Sequence, residues 1–229
     1  MRRFKYTIKI SKTMKNNIII FISTLILISS NIYGQALSEV KDEYIKLIKS
    51  SQEKTKNKDV NGAISDYSRM IEISTSDMPR DVKSYPYFMR ANGKVILNDY
   101  KGAISDYDKA LEFDPLNAEA YFFRANAKRT IDDFSGAIDD FNKLILIEPK
   151  NSDAYFFRGL CKRALKDFNG AVEDYDKAIE IEPKNANAYY ERGLIKINAK
   201  YNEAGCLDLS IASELGNEDA EKKIKIYCK

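Results

Sequence analysis

The sequence repeats itself every 34 residues, and that period constrains the fold more than any other property of the chain. It is marked by Gly102, Gly136 and Gly170; by Asp106, Asp140, Asp174 and Asp208; by Pro115, Pro149 and Pro183; by Tyr87, Tyr121, Tyr155 and Tyr189; and by Arg90, Arg124, Arg158 and Arg192. Five registers at one spacing mean that a single structural unit is stacked on copies of itself, since one such unit cannot bury its apolar face alone.

Each unit reads as two helices. In the unit that starts at residue 118, Asn117 is placed to cap a helix with Glu119 in its first turn. The apolar spacing of "AYFFRANAKRTI" then predicts a first helix that stops near Asp132. "DDFSGAIDDFNKLILIE" supplies the second helix, ended by Pro149, which lacks an amide donor and disfavours helix in the residue before it. The units run over 84–117, 118–151, 152–185 and 186–219, after a degenerate one over 44–83 that follows a short segment at 35–43. Gly62 to Gly102 is 40 residues, and the six extra residues fall in "STSDMPRDVK", which reads as an extended interhelical loop. After Gly216 and Asn217, "EDAEKKIKIYCK" is amphipathic through Ala220, Ile224 and Tyr227 and predicts a helix that covers the apolar face the last unit leaves open.

A 34-residue helix-turn-helix with an early aromatic in its first helix, small residues where helices touch and a proline at its end resembles the tetratricopeptide repeat (TPR) family. The resemblance covers about 44–219. It implies an all-α, right-handed α-solenoid of about five helix-turn-helix units with a capping helix over 218–229. The small helix-contact positions are Ala91, Ala103 and Ala110; Ala125 and Ala137; Gly159, Ala171 and Ala178; and Gly193, Gly205 and Ala212. Leu144 departs from that pattern, and Thr75 replaces the first proline.

The resemblance also assigns expected roles. Tyr121 and Tyr155 stand at the family's structural aromatic position. Arg90, Arg124, Arg158 and Arg192 stand where the family generally has leucine, each with an aspartate 16 residues on: Asp106, Asp140, Asp174 and Asp208. These pairs are expected to meet between the two helices of a unit as charge-assisted hydrogen bonds; a solvated charge or a phosphate-binding arginine ladder is the other reading. Phe88, Phe122, Phe156 and Tyr190 hold the next aromatic position. They line the concave groove with Asn92, Asn126, Leu160, Leu194, Arg129 and Arg163, or else pack against neighbouring helices. The carboxylate-binding set that some TPR domains use for chaperone C-termini does not fit, because Met89, Phe123, Phe157 and Glu191 occupy its polar places.

Composition narrows the function classes. Histidine and tryptophan are absent, so the commonest general base and metal ligand is missing. No cofactor or metal motif appears, and catalysis is not expected. Residues 1–34 hold six basic residues, no acid and the apolar run "IIIFISTLILISSNIYG", the pattern of a secretory signal peptide cleaved after Gly34 or Ala36. Removing those six from 37 basic residues leaves 31 against 34 acids, a net charge of −3 that alternates in sign and gives no nucleic-acid footprint. An exported protein, periplasmic or secreted, is expected, with no membrane span in its mature part and no cysteine near the cleavage point to carry a lipid.

Of three cysteines, Cys206 and Cys228 flank the last turn at similar distances, so a helical hairpin brings them together as a disulfide or leaves them as buried thiols. The expected function is a non-catalytic interaction scaffold that binds a peptide or partner helix in its groove. A glycan-binding or hydrolytic protein, or a self-assembling spacer, are the alternatives.

Overall fold

The computed structural model describes residues 34–228; the leader expected over 1–34 lies almost wholly outside them. Among the described residues there are eleven α-helices and no strand: α1 Gly34–Lys56, α2 Val60–Glu72, α3 Arg80–Ile96, α4 Tyr100–Phe113, α5 Ala118–Thr130, α6 Phe134–Ile147, α7 Ser152–Ala164, α8 Phe168–Ile181, α9 Ala186–Asn198, α10 Asn202–Glu214 and α11 Glu218–Tyr227. The fold is all-α and repeating. It divides into two compact units: residues up to Asn98 with Asp108–Asp114, and Asp99–Tyr107 with the chain from Pro115 onward. Residues 35–43 belong to α1 and are continuous with the helix that carries Tyr44.

The period is written in the helix ends. Asn117, Asn151 and Asn185 cap α5, α7 and α9, each side-chain oxygen accepting from the amide three residues on, at Ala120, Ala154 and Ala188. The turn into each second helix uses one residue with positive φ: Lys58, Asn98, Asp132, Lys166 and Lys200. Asp132 is where the first helix was expected to stop, and its left-handed backbone is the reason. The next residue, Asp59, Asp99, Asp133 or Asp167, caps the second helix by accepting from Gly62, Gly102, Gly136 or Gly170. Those glycines follow from the cap, because a Cβ on any of them would come within 2.1 to 2.3 Å of the capping carboxylate oxygen. In the last unit the two features disappear together. Tyr201 stands at the cap and makes no side-chain bond, and Ala204 stands where the glycine was.

The insertion between the first two repeats is shorter as a loop than its composition suggests. Only residues 73–79 are non-helical, and α3 starts at Arg80, so "RDVK" lengthens that helix instead of joining the loop. Pro86 lies inside α3 and cannot donate to the carbonyl of Val82 one turn back. The hydroxyl of buried Tyr44, on α1, donates to that carbonyl instead at 3.0 Å, so the proline leaves no orphaned acceptor.

In the second unit the core is a row of small and aromatic residues. Ala125, Ala137, Ala171 and Ala178 are fully buried, which lets paired helices approach. Leu144, the departure from the small-residue rule, is fully buried as well, in one cluster with Phe141 and Phe157, whose rings stack at 6.2 Å. The approach is closest between α9 and α10, where a Cβ on Gly205 would come 2.9 Å from the carbonyl oxygen of Gly193.

A charged lattice runs through this core. Asp140 accepts from Arg124 at 2.9 Å (Nε) and 2.5 Å (Nη2) and from Lys128 at 2.9 Å. Asp174 accepts from Arg158 and Lys162 in the same way, and Asp208 from Arg192 and Lys196. The lysine lies four residues after the arginine, on the same helix face, so both cations converge on one carboxylate. Each arginine also lies over the tyrosine three residues before it, 5.3 to 5.5 Å from the ring centroid. Its remaining edge reaches back one unit: Arg158 to Asn142 at 2.7 Å, Arg192 to Asp176 at 2.5 Å. In the first unit Ser50 takes the arginine's place, and Asp66 still accepts, from Ser50 at 2.7 Å and Lys54 at 2.8 Å. Arg90 donates to Ser68 at 3.1 Å, and Asp106 is buried.

The aspartates are about 3% exposed and the arginines about 15%, so each arginine–aspartate pair is removed from water. Replacing Asp174 by alanine leaves two cations in a poor dielectric and should lower the unfolding free energy by about 3 to 5 kcal/mol. Removing the exposed cap with Asp167→Ala should cost about 1 kcal/mol. Urea unfolding of the two variants measures both, and equal losses would show that the lattice is not a buried device.

Candidate functional site

The first helices of the second unit, α5, α7 and α9, carry most of the residues that the sequence assigns to partner binding. The structure sorts these residues by exposure. Phe156 is buried at 8% and packs against Phe157 and Tyr175, with ring centroids at 5.3 and 5.9 Å. Phe122 is half-buried and meets Phe123, Phe141 and Phe157 edge-on. In the first unit Phe88 and Asn92 are buried, at 2% and 3%. These rings pack between helices, and Phe88 and Phe156 leave almost no surface for a partner. Tyr190, Leu160 and Leu194 are half-buried, packed on the core by one side only.

A second contact joins successive first helices, and it was not legible from pairwise spacing. Arg129 lies 5.3 Å over the ring of Phe157, and its Nη2 donates to Asn126 at 3.2 Å, which in turn donates to the carbonyl of Phe122. One repeat later Arg163 reaches the equivalent residue, Glu191, at 3.1 Å. The same two positions therefore make a cation–π contact in one step of the array and an ion pair in the next. Two of the four residues that ruled out the chaperone-type carboxylate set, Phe157 and Glu191, are the ones that receive these arginines.

The electrostatics of this face are set by burial. Burial pushes the Glu191 carboxyl above the ordinary glutamate range, and Arg163 only partly offsets it, because the guanidinium side chain is 40% exposed and the contact is not aligned as a hydrogen bond. Tyr175, beneath it, is raised by burial first and then by the charge of Glu191, and its hydroxyl finds no hydrogen-bond partner. Burial also raises the Cys161 thiol to about 11, so it stays protonated and inert, while the nearby Arg129 charge pulls weakly the other way.

At the C-terminal end, Cys206 on α10 and Cys228 after α11 are joined by a disulfide with Cα atoms 5.7 Å apart. Asn217 caps α11 and also donates to Asn187 at 3.0 Å, so this helix is fastened at both ends. Its inner side covers Ile197, Leu209 and Ala212 through Ala220 and Ile224. Among the described residues, no three His, Cys, Asp or Glu side chains cluster to hold a metal ion, and no helix is long and apolar enough to cross a membrane.

The repeat geometry agrees with comparison to known proteins. The TPR repeat profile matches residues 92–130 and 159–197, and the tetratricopeptide repeat profile matches 118–151. A crystal structure of MamA superposes with a TM-score of 0.68 at 23% identity, covering 75% of this chain and 96% of that one. YrrB, described as a TPR protein with an unusual peptide-binding site, gives 0.70 at 18% identity, covering 85% and 98%. The first TPR of Spaghetti (RPAP3), bound to the HSP90 peptide SRMEEVD, gives 0.50 at 28% identity, covering 52% and 95%. No curated protein sequence matches the chain. Residues 92–151 and 159–197 are therefore tetratricopeptide repeats, and the solved structures share their fold. Proteins built from such repeats are generally non-catalytic interaction scaffolds.

The raised Glu191 carboxyl has a consequence for pH. The folded chain retains a proton that the unfolded chain has already released, so stability falls as pH rises from the unfolded value through the raised folded one. Relative to Glu191→Gln, the natural chain should lose stability over the range where pH rises above the ordinary glutamate value of about 4. Urea midpoints across that range measure it, and parallel curves for the two proteins would overturn the assignment.

Proposed function

We propose that this chain is an exported scaffold of the cell envelope that holds a protein or peptide partner on the face formed by α5, α7 and α9. One observation carries the reading. Leu160, Arg163, Tyr190 and Leu194 stand half-exposed on successive first helices beside Asn126 and Arg129, and none of them belongs to the buried arginine–aspartate–lysine lattice. The lattice holds the helices, and the neighbouring side chains are left to vary from repeat to repeat without cost to the fold. A mixed face of aromatic, aliphatic and arginine side chains is the composition that dominates protein interfaces.

Two further points support the reading. YrrB has a peptide-binding site and the Spaghetti repeat domain holds a bound peptide, so the fold they share with this chain accommodates one. The disulfide between Cys206 and Cys228 suits an oxidising compartment, in keeping with the leader-like composition of residues 1–34.

The distribution of burial selects the variants for the test. Phe156→Ala would open a core cavity at about 3 to 5 kcal/mol and report on folding, not binding. A double variant, Arg129→Ala with Tyr190→Ala, removes face groups instead. Capture from envelope extracts by the natural chain, lost in this variant while its helical circular dichroism is retained, is the expected result. Equal capture by both proteins would place binding elsewhere.

A further inference from the structure

We propose that α11 is a redox latch: the Cys206–Cys228 disulfide holds this helix on the last repeat, and reduction of that one bond releases it while the repeats beneath stay folded.

The helix is poorly equipped to stay in place by itself. It has ten residues, fewer than the roughly 12 to 15 that an isolated helix needs in water. Its fully buried side chain is Ala220, which brings little apolar area, and Ile224 is partly buried beside Leu209 and Ala212. Ile226 and Tyr227 are 59% and 45% exposed. The ion pairs Lys222–Asp219 and Lys225–Glu221 run within the helix and do not tie it to its neighbours. Lys223 makes no ion pair among the described residues and lies 5.9 Å over the ring of Tyr227. Both line a cavity of about 330 Å³ whose other walls come from α7, α8 and α9, so close packing fails along this part of α11. Its fastenings are at the two ends. Asn217 donates to Asn187 at 3.0 Å, an exposed bond that water can replace, and the disulfide at Cys228 closes a separation of 22 residues.

The helices beneath do not depend on it. Asp208 registers α10 against α9 by accepting from Arg192 and Lys196, and Gly205 approaches Gly193 too closely for a Cβ. These contacts remain when α11 leaves. Release uncovers Ile197, Leu209 and Ala212 and takes Lys223 and Tyr227 off the cavity wall. Tyr190 and Leu194 pack in the same cluster, so the C-terminal edge of the proposed partner face changes as well. That consequence rests on the proposed function, and the latch does not.

The bond is also reachable. Cys206 and Cys228 are half-buried, whereas Cys161 is fully buried with its thiol raised to about 11, so it takes no part in exchange. The reductant is a dithiol, the class that thiol–disulfide oxidoreductases carry. Its thiolate attacks one sulfur of the pair, forming a mixed disulfide and expelling the other cysteine as a thiolate. The second thiol of the reductant then displaces the remaining cysteine and closes the reductant's own disulfide. Two electrons pass to Cys206 and Cys228, and the two protons of the dithiol complete their thiols.

The test follows hydrogen exchange by mass spectrometry in the whole mature chain, oxidised and after dithiothreitol, and in the double variant Cys206→Ser with Cys228→Ser. Amides of α11 should exchange about ten-fold or more faster in the reduced chain and in the variant, with those of α9 and α10 unchanged. Iodoacetamide added to the reduced chain should label Cys206 and Cys228 and spare Cys161. Equal protection of α11 in all three samples would overturn the proposal, as would a bond that resists dithiothreitol in the folded chain. Loss of protection through α9 and α10, or labelling of Cys161, would make the disulfide a staple of the whole unit and overturn the latch. Neither readout involves a partner, so the outcome is independent of the proposed function.

Discussion

The buried carboxylate of each repeat, at Asp66, Asp106, Asp140, Asp174 and Asp208, is the feature on which the rest of the structure depends. A carboxylate at 2 to 7% exposure is tolerable only if its lone pairs are filled, and at Asp140, Asp174 and Asp208 two cations one helical turn apart fill them. That requirement sets the register of the second helix against the first. The arginine then uses its remaining edge on the preceding repeat, as Arg158 and Arg192 do, so the same group that orders one helix pair also couples it to its neighbour. Ser50 shows how much of the device can be given up: in the first repeat the carboxylate is kept, with a hydroxyl and a lysine as donors.

With the register held from inside, the outward residues of the first helices are free to differ. The exchange of Phe157 for Glu191 under equivalent arginines is the clearest case. Both contacts close the gap between successive first helices, one by stacking and one by charge, yet they leave different surfaces. Variation of this sort turns a regular scaffold into a surface with local character. Towards the C-terminus that character is cationic and apolar, where Arg163 and Lys223 face Leu194 and Ile197 across one cavity.

Much of this was legible in advance because it is periodic. The 34-residue spacing places the turns, the asparagine caps and the arginine and aspartate columns. Lys128, Lys162 and Lys196 were in the same period and carry the same signal, four residues after each arginine, but lysine on a helix reads as solvated until its partner is seen. Non-periodic features gave no such handle. Pro86 in the middle of α3 reads as a helix breaker, and only the position of the Tyr44 hydroxyl, 42 residues earlier, explains why it is not. The aromatic column shows the converse: Phe88, Phe122, Phe156 and Tyr190 share one register, yet two are buried and two are half-buried, because exposure depends on what the adjacent helix places over each ring.

What the sequence determined by itself is therefore the unit: two helices, their caps, the glycine that each aspartate cap demands, and the spacing at which they recur. These follow from local sterics and hydrogen bonding, which act over a few residues and repeat whenever the residues do. What only the tertiary structure decided is how much of each side chain remains in contact with water, which lysine lacks an ion-pair partner, and where a cavity opens between the last repeat and the helix that closes it. Those properties belong to sets of residues brought together from different helices, and no period along the chain encodes the space between them.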